Sequence, residues 1–373
     1  MRVGIIHYWL VGMRGGERVL EALIDLFPEA DIFTNVYVPE AVSEKIRSRP
    51  VHTTYINHLP WAKRLYKSYL PLMPMALESL DLSGYDLIIS SESGPAKGVI
   101  VPPTAFHCCY CHSPMRYIWD GYAQYRQGAG VLTRMLMPPL CHYLRLWDAA
   151  TALRVDAFAA NSVHVARRIA RVYGRHDAQV IHPPVDVAAF DATQPRGDRY
   201  LYVGELVGYK QAETAVAACL QLGRPLTVIG GGPQLDRIRR LAQGGNVEVL
   251  GRQPFSVVRH HMATCRALLF PGEEDFGLVP VEAMASGAPI IASARGGALD
   301  SVVDGRTGIL YRGSSEQDLV AAMHRFENAP PFNPAELREW ATRFDVAVFR
   351  RMFVSFLTER RAASEAHFQH LFR

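Results

Sequence analysis

The sequence lacks any apolar run of the roughly 18 residues that a helix needs to cross a bilayer. Its first ten residues, MRVGIIHYWL, carry one charge and no small-residue cleavage site, so they indicate a first buried strand rather than a signal peptide. The sequence has no strong excess of positive or negative charge, since its net charge is only +4. This net charge alone supports neither a nucleic acid nor a membrane as a partner. These features predict a cytoplasmic protein.

Cysteine is scarce, and three of the six cysteines are crowded at Cys108, Cys109 and Cys111. Without an export signal we expect reduced thiols rather than disulfides. The run from Cys108 to His112 satisfies the C-x-x-C-H haem-attachment pattern, but it lies in an apolar strand that turns Cys108 and Cys111 to opposite faces. A zinc site that borrows Cys141 meets the same difficulty. We therefore interpret these cysteines as core residues and predict no metal site.

The chain is too long for one ordinary core, and its 373 residues fit two domains. Short apolar strands alternate with helical stretches in both halves, which is typical of parallel sheets covered on both faces. The predicted strands of the first half are 2–8, 30–36, 85–91, 106–112 and 155–161. Those of the second half are 199–204, 225–230, 246–251, 267–272, 289–293 and 307–311.

The domain boundary is marked by Pro183 and Pro184, which stop regular structure, and by the turn-rich run 192–198. We predict an N-terminal Rossmann-like domain over 1–185 and a second over 186–345. Residues 346–373 have an apolar stripe of one helix, which we expect to pack back across the domains. Two doubly wound sheets in one chain favour a ligand at the carboxyl ends of the strands.

A basic and aromatic segment, WAKRLYKSYLPLMPM, covers residues 61–75. It interleaves Lys63, Arg64 and Lys67 with Trp61 and other large apolar side chains, as a basic amphipathic helix would. Such a helix can lie on an anionic membrane surface. It can equally pack on its own domain and turn a solvated basic face outward, and the sequence leaves both interpretations open.

Glycines mark the turn after the first predicted strand, in WLVGMRGGER, where Gly15 and Gly16 precede a helix. Glycines at such a turn let backbone N–H groups approach an anion at the helix N-terminus. The pattern is not G-x-G-x-x-G and no acidic residue follows at the usual distance, so NAD binding is weakly supported. Two adjacent glycines are also compatible with a tight turn and nothing more.

A second candidate is VGELVGYK, residues 203–210, at the end of the first strand of the second half. There Gly204 follows the strand, and we expect Lys210 to begin the next helix. The ammonium group and the positive end of that helix can then hold a diphosphate. The alternative is an ordinary surface lysine.

The strongest candidate is EEDFGLVPVEAMASGAPIIAS, residues 273–293. Glu274 follows a strand and can accept hydrogen bonds from sugar hydroxyls. Amides of Phe276, Gly277 and Leu278 can point at a phosphate near the start of a helix. Glu282 lies about one turn into that helix, where it can hold the paired hydroxyls of a ribose.

This glutamate pair, written E-D-F-G-L-V-P-V-E, resembles retaining GT-B glycosyltransferases of glycosyltransferase family 4. The likeness extends to the GG-E loop at the first turn, and to VIGGGP with Gly231 and NVEVLGR with Arg252. The stretch CYCHSPMRYIWD, which contains His112 and Arg116, is similar to a bacterial mannosyltransferase-like branch that builds surface polysaccharide.

The resemblance implies an α/β GT-B protein with two Rossmann-like domains that face a central cleft. It places His112 beside the donor sugar, Lys210 on the diphosphate, Glu274 on the transferred sugar and Glu282 on the ribose. It implies retaining transfer from a nucleotide diphosphate sugar such as GDP-mannose. No D-x-D motif occurs in a context that suggests a divalent metal, so we expect metal-independent transfer with no cofactor. One position departs from the family, because Glu205 stands where an arginine is usual.

The acceptor implied by the resemblance is a polyprenyl-diphosphate-linked or other saccharide. If it is lipid-linked, the protein would work at the inner face of the cytoplasmic membrane, where Trp61, Lys63, Arg64, Lys67 and Arg116 would be useful on the acceptor side. Two other functions stay open at this stage. One is a GT-B-type epimerase or phosphorylase, and the other is a non-catalytic nucleotide-binding subunit of an assembly complex.

Overall fold

The computed structural model describes the backbone of residues 1–371 and the side chains of residues 1–366. The chain divides into two compact units. Unit 1 contains Met1–His182 together with the chain from Phe349 onward, and unit 2 contains Pro183–Val348.

Unit 1 is built on a seven-stranded sheet with the strand order β3-β2-β1-β4-β5-β6-β7, in which all pairs are parallel. Because the chain runs outward from β1 and then returns to β4, the strand order reverses between these two central strands. The strands are β1 Val3–His7, β2 Asp31–Thr34, β3 Val51–Thr53, β4 Leu87–Glu92, β5 Phe106–Cys111, β6 Ala157–Ala160 and β7 Gln179–Val180.

The helices of unit 1 pack on both faces of this sheet. The α-helices are α1 Gly15–Leu26, α2 Glu44–Arg47, α3 Ala62–Leu65, α4 Met73–Glu78, α5 Tyr122–Gln127, α6 Val131–Thr151 and α7 Val163–Tyr173. Short 3-10 helices cover Pro39–Ala41, Tyr55–His58, Tyr66–Leu72, Ala96–Gly98 and Ala152–Arg154. Helix α7 begins at an N-cap, because the Ser162 hydroxyl accepts from the backbone N–H of Val165 at 3.1 Å.

Unit 2 is built on a six-stranded parallel sheet with the order β10-β9-β8-β11-β12-β13, which reverses between β8 and β11. Its strands are β8 Tyr200–Val203, β9 Leu226–Ile229, β10 Val247–Gly251, β11 Leu268–Phe270, β12 Ile290–Ser293 and β13 Gly308–Tyr311. Its α-helices are α8 Ala212–Gln221, α9 Leu235–Leu241, α10 Phe255–Thr264, α11 Leu278–Ala285, α12 Ala298–Ser301, α13 Glu316–Asn328 and α14 Pro334–Ala341. Short 3-10 helices cover Val187–Ala189, Gly208–Lys210 and Thr342–Phe344.

The last helix, α15, runs over Val346–Leu371. Its stripe of Phe349, Phe353 and Phe356 is buried in the main core of unit 1, beside strand residues such as Cys108 and Tyr110. Phe349 and Phe353 stack with their ring centroids 5.7 Å apart, and the rings of Phe353 and Phe356 are tilted, with their centroids 6.2 Å apart. The apolar period that the sequence shows therefore corresponds to a buried helix face.

The predicted fold class is confirmed, since both halves form α/β units with wholly parallel sheets. All eleven predicted strands are present. Ten are one to three residues shorter than predicted, and β4 starts two residues later and ends one residue later than predicted. Two short edge strands, β3 and β7, were not predicted, because three and two residues are too few to show a period. Within the described chain, no helix has both the length and the apolarity to cross a bilayer.

The prediction of one amphipathic helix over 61–75 is wrong. The segment begins with Trp61 in the left-handed region, at φ 52°, and continues as α3, a 3-10 helix and then α4. Pro71 lies inside the 3-10 part, and a proline removes a backbone donor from any continuous helix. Lys63, Arg64 and Lys67 are nevertheless all exposed.

Candidate active site

Three polar side chains, His7, Ser91 and His112, lie together at the carboxyl ends of β1, β4 and β5 in unit 1. Of these, only His112 was predicted from the sequence. Ser91, near the end of β4, has its Oγ 3.0 Å from His7 Nδ1 and 2.8 Å from His112 Nε2. His7 Nε2 lies 3.6 Å from a carboxylate oxygen of Glu17, at the start of α1. Glu17, His7, Ser91 and His112 therefore form one chain of polar contacts, which we call the relay.

The donors and acceptors in the relay can be assigned from Glu17, the acidic residue at one end. We assign the His7 proton to Nε2, because this atom lies 3.6 Å from Glu17 Oε1, and Nδ1 then accepts from the Ser91 hydroxyl. The Ser91 oxygen is then free to accept from His112 Nε2–H. This assignment leaves His112 Nδ1 as a hydrogen-bond acceptor, which can bind a ligand hydroxyl.

His112 is held in its neutral form. Burial, together with a smaller contribution from the neighbouring His7, lowers its pKa to about 3. Its backbone N–H donates to Glu92 O at 2.7 Å, and its carbonyl accepts from Asn161 Nδ2 at 2.9 Å. A neutral, tethered imidazole can position a ligand but does not supply a cation for a phosphate.

The glycine turn lies next to the relay. Gly15 begins α1, and a Cβ on Gly16 would lie 2.7 Å from Tyr8 Oη and 3.5 Å from His7 Cε1. Glu17 accepts from the backbone N–H of Arg14 at 2.8 Å, which stabilises the start of α1. Sequence reasoning named Gly15 and Gly16 but missed His7 and Ser91. Their only sequence signal is a polar residue at the end of an otherwise apolar strand.

A buried ionic cluster lies near the same edge of the sheet. Lys97, Glu92 and Asp148 have no exposed surface. Lys97 Nζ contacts Asp148 Oδ1 and lies 3.6 Å from Glu92 Oε1. Asp148 also accepts from Trp119 Nε1 at 2.6 Å and from Tyr173 Oη. The cluster anchors the stretch after β5, which carries His112, to α6 and α7.

Arg116 lies in this anchored stretch, and it is half-buried. Its carbonyl accepts from the backbone N–H of Gly121 at 2.8 Å. Two further bonds hold the stretch, because Arg168 donates to Ser113 Oγ at 2.7 Å and pairs with Asp120. Trp61, Lys63, Arg64 and Lys67 belong instead to the broken segment described above, so the structure assigns them to no part of the relay.

In unit 2, Lys210 and Glu274 meet where the strand order reverses. Lys210 Nζ lies 2.9 Å from Glu274 Oε1. Lys210 ends the 3-10 helix after β8, and Glu274 lies in the loop after β11. The expectation that Lys210 begins the next helix is wrong, because α8 starts at Ala212, after Gln211 in the left-handed region.

Neighbouring acidic groups favour the protonated, positively charged form of Lys210. Burial alone lowers its pKa, but the Glu274 carboxylate, together with smaller contributions from Tyr209 and Glu205, raises the pKa above its ordinary value. Lys210 is therefore a permanent cation. The exposed Glu205 adds negative charge near this cation.

Close backbone contacts connect this pair with the other predicted glycines. A Cβ on Gly204 would lie 3.6 Å from Lys210 Cδ, and a Cβ on Gly231 would lie 2.7 Å from Arg252 Cγ. Gly231 O also accepts from Leu206 N at 2.9 Å. The loops after β8, β9 and β10 therefore meet, and they bring Gly204, Lys210, Gly231 and Arg252 to one end of the sheet.

The remaining predicted residues surround the start of α11. Gly277 precedes this helix with φ 80°, and a Cβ there would lie 2.8 Å from Phe270 Cζ, so the turn requires glycine. Leu278 is the first helical residue. Phe276 is buried in the core, and Glu282 is buried one turn into the helix, as predicted.

Two family models match nearly the whole chain between them. The model described as Glycosyltransferase Family 4 matches residues 13–189, and the model described as Glycosyl transferases group 1 matches residues 191–342. The two matches meet close to the boundary between the units.

Curated relatives match over shorter stretches. An uncharacterized glycosyltransferase of Methanocaldococcus jannaschii is 33% identical over 123 residues, which are 32% of this chain and 35% of that protein. A D-inositol 3-phosphate glycosyltransferase of Nocardiopsis dassonvillei is 29% identical over 209 residues, 48% of this chain and 49% of that protein. The matches thus span about a third and about half of the length of these relatives.

Solved structures match over almost the full length. Anabaena HepE in complex with UDP has a TM-score of 0.71 at 17% identity, over 96% of this chain and 100% of that one. Sucrose-phosphate synthase of Thermosynechococcus elongatus has a TM-score of 0.69 at 19% identity, over 97% of this chain and 100% of that one. At such identities the likeness establishes the fold.

Proposed function

Since the chain belongs to the GT-B glycosyltransferases of the family 4 kind, we propose that it transfers a hexose from a nucleotide diphosphate sugar to a saccharide acceptor. The observation that carries the proposal is the Lys210–Glu274 pair at the reversal point of the unit 2 sheet. A fixed cation there can neutralise a departing diphosphate, and the carboxylate beside it can accept from the hydroxyls of the sugar.

The proposed roles follow the chemistry of each group. Lys210 and the backbone N–H groups at the start of α11 stabilise negative charge as it develops on the leaving diphosphate. In unit 2, Glu274 orients the sugar and Glu282 holds the ribose. In unit 1, the acceptor nitrogen of His112 binds a substrate hydroxyl. Gly15 and Gly16 let backbone approach the phosphates. The transfer runs without a metal, and the anomeric configuration is retained.

We propose GDP-mannose as the donor, on the resemblance of the stretch around His112 to the mannosyltransferase-like branch. UDP-glucose is the alternative, because Anabaena HepE has been solved in complex with it. The proposed acceptor is a polyprenyl-diphosphate-linked saccharide of bacterial surface-polysaccharide synthesis, at the inner face of the cytoplasmic membrane.

An assay of released nucleotide tests the proposal. The full chain is incubated with GDP- and UDP-sugars, each with and without a lipid-linked saccharide, in the presence of a chelator. We expect GDP release from GDP-mannose that depends on the acceptor and survives the chelator, and a product whose anomeric proton shows retention. Sugar isomerisation without transfer would instead indicate an epimerase. Binding without turnover would indicate a nucleotide-binding subunit, and either result would contradict the proposal.

The relay makes a separate prediction. We expect Ser91→Ala to lower kcat by about 10- to 100-fold with little change in KM for the donor, because His112 loses the bond that sets its proton position and orientation. The measurement is steady-state kinetics of nucleotide release.

The chain offers a matched control for this variant. Ser90, the preceding residue of β4, is equally buried, and its Oγ lies 3.0 Å from His107 Nε2 near the other end of β5. Ser90→Ala removes the same kind of bond away from the carboxyl ends of the strands. We expect it to lower thermal stability by a similar amount but to leave kcat unchanged. Equal losses of kcat in both variants would mean that Ser91 has only a structural role.

A further inference from the structure

Helix α6 exposes an unusually apolar surface. Its first ten residues, Val131–Leu140, are exposed except for the half-buried Met137. Leu132 and Met135 are each 72% exposed. Large exposed apolar side chains along the helix are Val131, Leu132, Met135, Leu136, Leu140, Tyr143 and Leu146. A contiguous apolar patch of this kind marks an interaction surface rather than ordinary solvent-exposed structure.

The same helix is anchored on its opposite side. Cys141 and Leu144 are buried with Met115 and Ile118, and the partly buried Leu70 packs against this cluster. The helix is therefore held to unit 1 by its second half, while its first half presents apolar side chains outward. Leu70 belongs to the basic segment 61–75, so the two elements are neighbours.

A second contact joins the two elements. Trp147 of α6 donates from its Nε1 to Glu78 Oε1 at 3.0 Å, and Glu78 ends α4, the helix that begins in the basic segment. Leu65, Leu72 and Met75 are exposed on the basic segment, as is Trp61 at 78%. Segment 61–75 and helix α6 thus form one surface, which we call the apolar–basic face.

The charge of this face has a single sign. Residues 45–77 and residues 121–147 contain no Asp or Glu. Glu78, which ends the first stretch, is paired with Arg154 at 2.8 Å. Cations are supplied by Lys63, Arg64 and Lys67 on the segment and by Arg126, Arg134 and Arg145 around the helix.

We propose that the apolar–basic face docks on an anionic lipid bilayer, with the first half of α6 inserted at the headgroup level. Large apolar side chains beside Lys and Arg, without acidic residues, are the composition that binds such an interface. A second copy of the chain is the less suitable occupant, because two identical faces of one charge repel each other. The inference does not depend on the transfer reaction, since lipid binding is measured without donor or acceptor.

Vesicle flotation with the full chain tests the proposal. The vesicles are phosphatidylcholine alone, and phosphatidylcholine with phosphatidylglycerol in equal parts. We expect binding to the anionic vesicles that weakens as ionic strength rises. The double variant Leu132→Gln/Met135→Gln should bind at least about tenfold more weakly, because two apolar side chains no longer enter the interface.

The triple variant Lys63→Gln/Arg64→Gln/Lys67→Gln separates the electrostatic contribution. Each Lys or Arg near an anionic membrane contributes about 1 kcal/mol of binding free energy. The affinity of the triple variant for anionic vesicles should therefore fall by about 100-fold, and its binding should depend much less on salt. The matched control is Leu241→Gln/Val354→Gln, which changes two exposed apolar residues outside the apolar–basic face. We expect the control to bind like the wild type.

All substituted side chains are exposed, so circular dichroism and the melting temperature should stay unchanged and folding does not confound the result. Failure of the wild type to bind anionic vesicles overturns the proposal. Equal binding by the wild type and the Leu132→Gln/Met135→Gln variant also overturns it. If the wild type dimerises without lipid and that variant does not, the face is a protein–protein interface instead.

Discussion

Replacing Lys210 with methionine is expected to lower kcat for the donor by about 10²- to 10³-fold, the range seen when one electrostatic stabiliser of a transition state is removed. Lys210 lies at the point where the strand order of the unit 2 sheet reverses, and the Glu274 carboxylate raises the pKa of Lys210 above its ordinary value. Methionine keeps most of the side-chain length but cannot neutralise a departing diphosphate. Steady-state nucleotide release, fitted for kcat and KM separately, is the measurement.

Lys45 provides the matched control. Its Nζ lies 2.8 Å from Asp25 Oδ1 in unit 1, so Lys45→Met also leaves a carboxylate without its lysine. We expect Lys45→Met to turn over like the wild type. A similar rate for Lys210→Met and Lys45→Met would remove Lys210 from the reaction and would leave the non-catalytic alternative in place.

Glu205 predicts an effect of the opposite sign. Its carboxylate contributes to the raised pKa of Lys210, so it lies close enough to repel a diphosphate held there. In Glu205→Gln we therefore expect a KM for the donor about two- to fivefold lower, because a weak, partly screened repulsion is removed. The effect should shrink at high ionic strength.

The sequence was sufficient for the architecture because the strands are short, apolar and separated by helical periods. It also located the Lys210 and Glu274 loops, since both directly follow central strands of unit 2. In parallel sheets the carboxyl ends of neighbouring strands lie at one edge, so residues distant in sequence meet there. The pairing itself, at 2.9 Å, needed the structure.

What the sequence did not show has physical causes. His7 and Ser91 are ordinary strand residues until β1 and β4 are placed side by side, and no local pattern reports that neighbour relation. The break of segment 61–75 depends on the left-handed turn at Trp61, which a helical period conceals. The exposure of α6 could not be predicted from the sequence, because a buried and an exposed apolar helix have the same composition.

The buried cluster of Lys97, Glu92 and Asp148 predicts the largest loss of stability. The three groups contain two carboxylates and one ammonium, so full ionisation would bury one uncompensated negative charge. Burial, opposed by the charge of Lys97 and assisted by that of Asp148, raises the pKa of Glu92 from its ordinary 4.5 to about 7. Glu92 therefore holds a proton in the native protein under mildly acidic conditions.

Lys97→Met should lower the free energy of unfolding by about 3–5 kcal/mol, because Asp148 is left buried without its counter-charge. Chemical denaturation at pH 8, where Glu92 is charged in the wild type, is the measurement. A loss below about 1 kcal/mol would contradict the assignment, since exposed ion pairs account for no more than that. Arg154→Met, which breaks the partly exposed pair with Glu78, is the comparison variant.

Glu92→Gln gives the same cluster a pH signature. The native pKa of Glu92 lies above its unfolded value, so between about pH 4.5 and 7 the native state binds a proton that the unfolded state has lost. Stability contributed by this group is present below pH 4.5 and falls by about 3 kcal/mol as pH rises through 7. Glutamine stays neutral throughout, so the variant should lose this decline and should be more stable than the wild type at pH 8. A wild type and variant with parallel pH profiles from pH 5 to 8 would mean that Glu92 is ionised in the folded protein across that range.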